Sequence, residues 1–356
     1  MPILKTIIHL FIIEKLNRGF FTYIIILSLL IVLFLIHISI GKVNFSLSDW
    51  LFFLNYNEPS NVLFNQIIIY NRIPTALTAI LAGGALSISG MQMQTLFRNP
   101  VAGPFVLGIS SGASLFVALF LMSTAFIGIT FVDFPILQNS SLILFAFLGS
   151  FIFALLILYI SRKVSSVSTV LIVGLLLSGI ASAIVTLLES IADKNALQSF
   201  VFWSFGSFQN LSYGQICIFF IVIIIGIIIS LFTLKSSNLI QINDEFAKQN
   251  GVNINKIKTL LIISSTLLAS AVTAYCGPIA FIGLAVPHLC RTLLKTSDHI
   301  KLYPFVFLMG SLICLCCSVI INLPFIEINI PINVITSIIG GPLVIYIILS
   351  KPIEYR

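Results

Sequence analysis

The sequence predicts an all-α polytopic membrane protein of about ten transmembrane helices, and three observations carry that reading. Of its 356 residues, 59% are apolar and only 8% are charged, where a soluble domain carries roughly 25% charged residues. The mean hydropathy is +1.15. Apolar runs recur from Gly19 to Ser350 with no polar stretch between them long enough to fold alone. Residues 1–356 therefore read as a single membrane domain. A soluble enzyme is excluded, and so is a nucleic-acid binder, because the net charge of +7 is scattered one to three residues at a time between apolar runs instead of forming a basic face.

A helix that crosses the hydrocarbon core needs about 20 mostly apolar residues. Runs of that kind lie near 19–40, 73–97, 106–127, 142–161, 168–188, 212–234, 259–276, 303–323 and 333–350. The first has no small-residue cleavage site and is long enough to span, so it reads as a retained helix and not as a signal peptide. The six cysteines (Cys217, Cys276, Cys290, Cys314, Cys316, Cys317) all sit in or beside apolar runs. They read as small buried hydrophobes, with neither a metal nor a disulfide implied.

Between Thr259 and Cys290 no charged residue occurs, and one helix of that length would overshoot a bilayer. Cys276-Gly277-Pro278 breaks it, because proline has no N–H to donate and glycine tolerates the bend. The remaining piece, Ile279 to Cys290, is half a span, and the charges say that it crosses. With the N-terminus inside and all ten segments crossing, Lys5, Lys15, Arg18, Arg98, Arg162, Lys163, Lys235, Lys248, Lys256, Lys258, Arg291, Lys295, Lys301, Lys351 and Arg356 lie inside. Only Lys42, Arg72 and Lys194 lie outside. If the short segment did not cross, Arg291, Lys295 and Lys301 would move outside and the positive-inside bias would weaken. Both termini are therefore expected in the cytoplasm, with the half-length helix buried among its neighbours.

Secondary transporters place carboxylates or histidines inside the membrane to bind a coupling ion. Here Glu189, Asp193, Lys194, His37 and His288 all lie near span ends and read as interfacial residues. The chain has no GxxxxGK[ST] phosphate loop, so energy from ATP would come from a separate subunit. Gly108-Ile109-Ser110-Ser111-Gly112 satisfies GxSxG, but a nucleophile elbow needs a strand-to-helix turn and a base in reach. Opening a membrane helix, Gly108, Ser110 and Gly112 read as packing residues. So do Gly83, Gly84 and Gly90 in the preceding span, which with Gln94 also shape a narrow pathway in the alternative reading.

Three segments resemble the FecCD-type permeases of ABC importers, the family that moves siderophores, haem and cobalamin. The first runs from Asn71-Arg72-Ile73-Pro74 through Ser89-Gly90-Met91-Gln92-Met93-Gln94-Thr95-Leu96-Phe97-Arg98-Asn99-Pro100 to Leu107–Ala113. The second, Cys276–Arg291, contains Gly277, Pro278, Gly283, Pro287 and His288 and is similar to the family's GxIxFIGLxxPHxxR stretch. The third is Ile335–Pro342, like the closing TxxxGxP segment. The resemblance implies a cytoplasmic coupling loop at about 235–258, where Asp244, Glu245, Ala247 and Gly251 occupy the ExxAxxxG pattern. A separate ATP-binding subunit would dock there.

It also implies a periplasmic or lipid-anchored substrate-binding protein, with Arg72 as a docking residue, a homodimer or paired relative, and an inner-membrane location. Thr75 replaces the second arginine of the family's outer Arg-x-Pro-Arg, and Glu327 lies near the other outer end. Arg72 reads equally well as an interfacial anchor whose stem lies in lipid. No cofactor or metal is implied for the chain itself. The rival functions are an ion-coupled transporter or channel and, behind them, a membrane enzyme built on Ser110. The cargo order implied is siderophore iron, then haem, then cobalamin.

Overall fold

The computed structural model describes residues 2–43, 62–122, 135–164, 167–324, 328 and 330–349. Glu327, Lys351 and Arg356 lie outside them. The helices are α1 (Pro2–Ser39), α2 (Val62–Ile67), α3 (Ile73–Phe97), α4 (Ile109–Met122), α5 (Pro135–Lys163), α6 (Val167–Ile191), α7 (Lys194–Ser204), α8 (Tyr213–Leu231), α9 (Leu234–Ile242), α10 (Asp244–Gln249), α11 (Ile254–Cys276), α12 (Ile282–Leu294), α13 (His299–Ile321) and α14 (Ile332–Leu349). Among the described residues, seven helices are long and apolar enough to cross a bilayer. Three shorter apolar helices, Ile109–Met122, Ile282–Leu294 and Ile332–Ile345, fill the remaining expected positions.

Side-chain pairings fix the directions of the central helices. Tyr23 donates to the Lys301 carbonyl and His37 meets Ser318 at 2.9 Å, so α1 and α13 run parallel. Thr95 meets His299 while Ser311 bonds Ile80, so α3 and α13 run antiparallel. Ser89 pairs with Ser265 and Gln92 with Ser264, so α3 and α11 are antiparallel too. Helices α11 and α13 thus point the same way. The chain must cross between them, and α12 is the segment that does so. The charge argument for the half-length span is thereby met by the geometry.

The bundle is built around α3, which packs on α8, α11, α12 and α13 and is buried along nearly its whole length. Its small residues permit that position. A Cβ added at Gly90 would stand 1.8 Å from the Gly283 carbonyl oxygen, and one at Gly83 would stand 2.2 Å from that of Gly310. Helices approach this closely only where side chains are absent, which is how helix pairs gain contact area in lipid. On the other flank, α4 packs on α5, α6 and α7.

The break after α11 is kept by backbone geometry and by one amide. Gly277 has φ 74° and Phe281 φ 66°, the left-handed region that glycine enters without cost. The Asn333 side chain accepts from Ala280 N at 3.1 Å and donates to the Pro278 carbonyl at 2.6 Å. Non-helical backbone at this depth is thus satisfied by protein, as an apolar surrounding demands.

Several features differ from the sequence reading. The second span does not begin at Ile73: α2 leads into it through a π turn, Ile68–Arg72. Pro74 has no N–H to return to the turn before it, and the wider π turn accommodates the mismatch. Helix α7 was not anticipated, because its apolar residues are too few for a span. Cys217 and Cys316 are exposed, whereas Cys276, Cys290, Cys314 and Cys317 are buried. The pair Cys314 and Cys317 stands in C-x-x-C spacing on α13, and both are free thiols. His37, in the last turn of α1, is 2% exposed.

Candidate functional site

At the end of the bundle that carries Arg98, Lys258 and Asp298, the chain leaves α8 and forms an elbow of two short helices. Helix α9 ends at Asn243, whose extended backbone and side chain cap α10 by accepting from Glu245 N at 3.0 Å; asparagine is among the residues preferred at that position. Ala247 is fully buried and packs with Ile240 and Ile254 under the elbow. Gly251, at φ 79°, ends it. Two large apolar side chains point outward, Ile242 at 68% exposure and Phe246 at 42%, and Glu245 is also exposed. Of the four residues expected in the coupling motif, Ala247 and Gly251 shape the elbow from beneath, whereas Glu245 is on its surface.

Asp244 faces inward. Its carboxylate accepts from the Arg98 guanidinium and from Lys258 Nζ at 2.7 Å. Partial burial raises its pKa, but the hydrogen bond and charge of Lys258, with the charge of Arg98, outweigh this and hold it below the ordinary 3.8. The group is therefore ionised at neutral pH. Sequence reading missed Arg98 and Lys258 as its partners because nothing in their spacing marks the pairing.

A second polar tie lies one turn away. Asn238 Nδ2 donates to Asp298 at 2.8 Å, and Asn238 Oδ1 accepts from His299 N at 2.8 Å. The His299 ring stands 2.6 Å from Thr95 Oγ1. Deeper in, Gln94 is 2% exposed; it accepts from Arg291 at 2.5 Å and donates to the Leu284 carbonyl at 3.0 Å, joining α3 to α12. Beside these ties a cavity of about 800 Å³ opens between the inner ends of α3, α5, α6 and α11, with Phe97, Arg162, Val170, Lys256 and Lys258 on its walls.

At the opposite end, Arg72 is 6% exposed and donates to the carbonyls of Ile38 at 2.7 Å, Ser39 at 2.9 Å and Val43 at 2.6 Å. It caps the C-terminus of α1, where carbonyls lack helical partners and a cation suits the dipole. A smaller cavity of about 280 Å³ lies here, lined by His37, Arg72, Gln209 and Asn322. Thr75 is buried in the bundle.

The packing candidates separate into two groups. Gly83, Gly84 and Gly90 meet α12 and α13, and Gly112 meets Gly149 of α5. Gly108, at φ 75°, caps a short 3-10 turn, Pro104–Leu107. Ser110 lies in the first turn of α4, and no hydrogen bond joins it to a histidine among the described residues. His288 lies on α12, where Pro287 interrupts the helical ladder. Among the residues whose side chains are described, no carboxylate is buried, and the buried ionisable side chains with nitrogen are His37, Arg72, Arg291 and His299.

Comparison with known proteins matches the model of the FecCD transport family over residues 29–350. The hemin transport system permease protein HmuU of Yersinia pestis is 32% identical over 328 residues, covering 92% of this chain and 96% of its own. The vitamin B12 import system permease protein BtuC of Citrobacter koseri is 30% identical over 281 residues, covering 79% and 82%. A metal-chelate type ABC transporter solved in an inward-facing conformation superposes with a TM-score of 0.78 at 28% identity, covering 91% of this chain and 97% of that one. Such permeases are transport components and not enzymes, and they work with an ATP-binding subunit and a substrate-binding protein. The half-length helix, the glycine-packed second span and the two-helix elbow thus belong to a chain of the FecCD transport family, a permease subunit of the ABC importer type.

Proposed function

We propose that this chain takes a metal chelate or related metal-organic nutrient across the inner membrane by alternating access, as one of two permease subunits, a homodimer or a pair of relatives. Siderophore iron is the first cargo assigned, then haem, then cobalamin. The relatives named for hemin and vitamin B12 and the metal-chelate type neighbour support that substrate class. A binding protein delivers cargo to the outer mouth. ATP-driven closure of two cytoplasmic subunits then pushes on the elbow, and the 800 Å³ cavity is the exit.

The observation that carries this reading is the elbow itself. Ile242 and Phe246 hold apolar surface outward on a scaffold fixed by Ala247 and the Asn243 cap. An apolar anchor surrounded by polar residues is the usual core of a protein–protein contact. Substituting Ala247 would damage the scaffold, so the surface residues give the cleaner test. The double variant Ile242→Asp/Phe246→Asp is expected to leave the permease folded in detergent while the co-expressed ATPase no longer co-purifies and uptake stops. Uptake that persists in that variant and collapses with the proton gradient would establish the ion-coupled rival.

A further inference from the structure

We infer that Asp244 is a positioning residue that carries movement of the elbow into the membrane helices, and that its carboxylate does not itself contact the ATPase. The inference rests on the reading that the elbow docks that subunit. Both carboxylate oxygens are engaged within the chain, Oδ1 by Arg98 and Oδ2 by Lys258 at 2.7 Å. The first cation caps α3 and the second lies in the early turns of α11, so one side chain joins the elbow to the two most buried spans. Arg98 also donates Nε to the Ile240 carbonyl at 2.9 Å, gripping the elbow on the other side of its bend.

Arg98 holds an unusual backbone for this role, with φ 45° and ψ 38°, where glycine is the common helix-ending residue. A non-glycine residue in that region is strained and persists when its surroundings over-determine it. Here the Arg98 backbone N–H, directed at the Gln94 and Thr95 carbonyls, holds the cap, and the side-chain contacts with the elbow add to it. The tie through Asn238 to Asp298 and His299 anchors the start of α13 as well. Force applied at Ile242 and Phe246 therefore reaches α3, α11 and α13 through short polar contacts. Glu245, exposed beside Asp244, is the acidic group left to face a partner.

These ion pairs are partly exposed, with side chains 28–40% accessible. Such pairs add little to stability, so losing the clasp leaves a folded chain and changes coupling. The test is hydrogen–deuterium exchange on the complex of this permease with its co-expressed ATPase, with and without ATP and vanadate, which needs no knowledge of the cargo. In the wild type, nucleotide is expected to alter exchange in the elbow and also in residues 96–102 and 254–262. In Asp244→Asn and in Arg98→Met the ATPase still co-purifies, the elbow still responds, and the response in 96–102 and 254–262 is lost; Asp244→Glu restores it. An unchanged response in those two segments in Asp244→Asn overturns the inference. Loss of the ATPase from Asp244→Asn overturns it too, because the carboxylate is then a docking contact, although the elbow remains the docking site. A wild-type permease that captures no ATPase overturns both readings.

Discussion

Replacing Gly90 with leucine is expected to remove the folded permease from the membrane almost completely. The first side-chain carbon would stand 1.8 Å from the Gly283 carbonyl oxygen, and that neighbour is backbone on α12, not the tip of a side chain that can swing away. Overpacking costs about 1–3 kcal/mol where neighbours adjust. At Gly90 the adjustment would have to separate α3 from α12, a half-length helix lodged against it. That separation gives up the α3–α12 contact as a whole, a much larger share of a total stability of about 5–15 kcal/mol than a local repacking would cost. Fluorescence-detected size-exclusion chromatography reads it directly: the monodisperse peak should vanish for Gly90→Leu and remain for Gly179→Leu, since a Cβ at Gly179 meets nothing within 4 Å. A monodisperse Gly90→Leu protein of wild-type thermal stability would refute the packing described for α3.

The second large effect is expected at Gln94. Its amide joins two helices with both ends, accepting from Arg291 and donating to the Leu284 carbonyl, and it is 2% exposed. Gln94→Leu keeps much of the volume and removes both bonds. Bonds to charged groups contribute about 1.5–3 kcal/mol, and buried polar groups deprived of a partner cost about 1–3 kcal/mol each, so a loss of about 3 kcal/mol is expected. It should appear as a lower thermal midpoint in detergent with the fold retained. Gln94→Glu, which keeps the acceptor for Arg291 but not the donor to Leu284, should fall between. An unaltered midpoint in Gln94→Leu would show that α12 is held by packing alone.

What was legible beforehand follows from the range of the interactions. Span positions and the crossing of α12 were readable because hydrocarbon thickness and the positive-inside bias act on the sequence locally. The short helix of the elbow was readable from Asp244-Glu245 opening it and Gly251 closing it. The inward turn of Asp244 was not, since its partners lie 146 and 14 residues away and long-range pairing leaves no periodic trace. Asn333 escaped notice for the same reason: an asparagine at the start of an apolar run looks like a cap, yet it braces a break 55 residues earlier. Arg72 was legible as a residue near a span end, but its pairing with the carbonyls that end α1, more than 30 residues earlier, was not.

The contrast between α3 and α6 sets how this chain can change over generations. Along α6 the side chains of Ile172, Leu175, Leu176, Ile180, Ile184 and Leu187 are exposed on the chain taken alone, so no packing within the chain dictates which branched hydrocarbon stands there. Along α3 the spacing to its neighbours is set by hydrogen atoms in place of side chains. A saturation scan scored by growth should therefore show α6 freely exchanging leucine, isoleucine and valine, while Gly83 and Gly90 admit no substitute. Any lineage that altered either glycine would have to rebuild α12 or α13 in the same step.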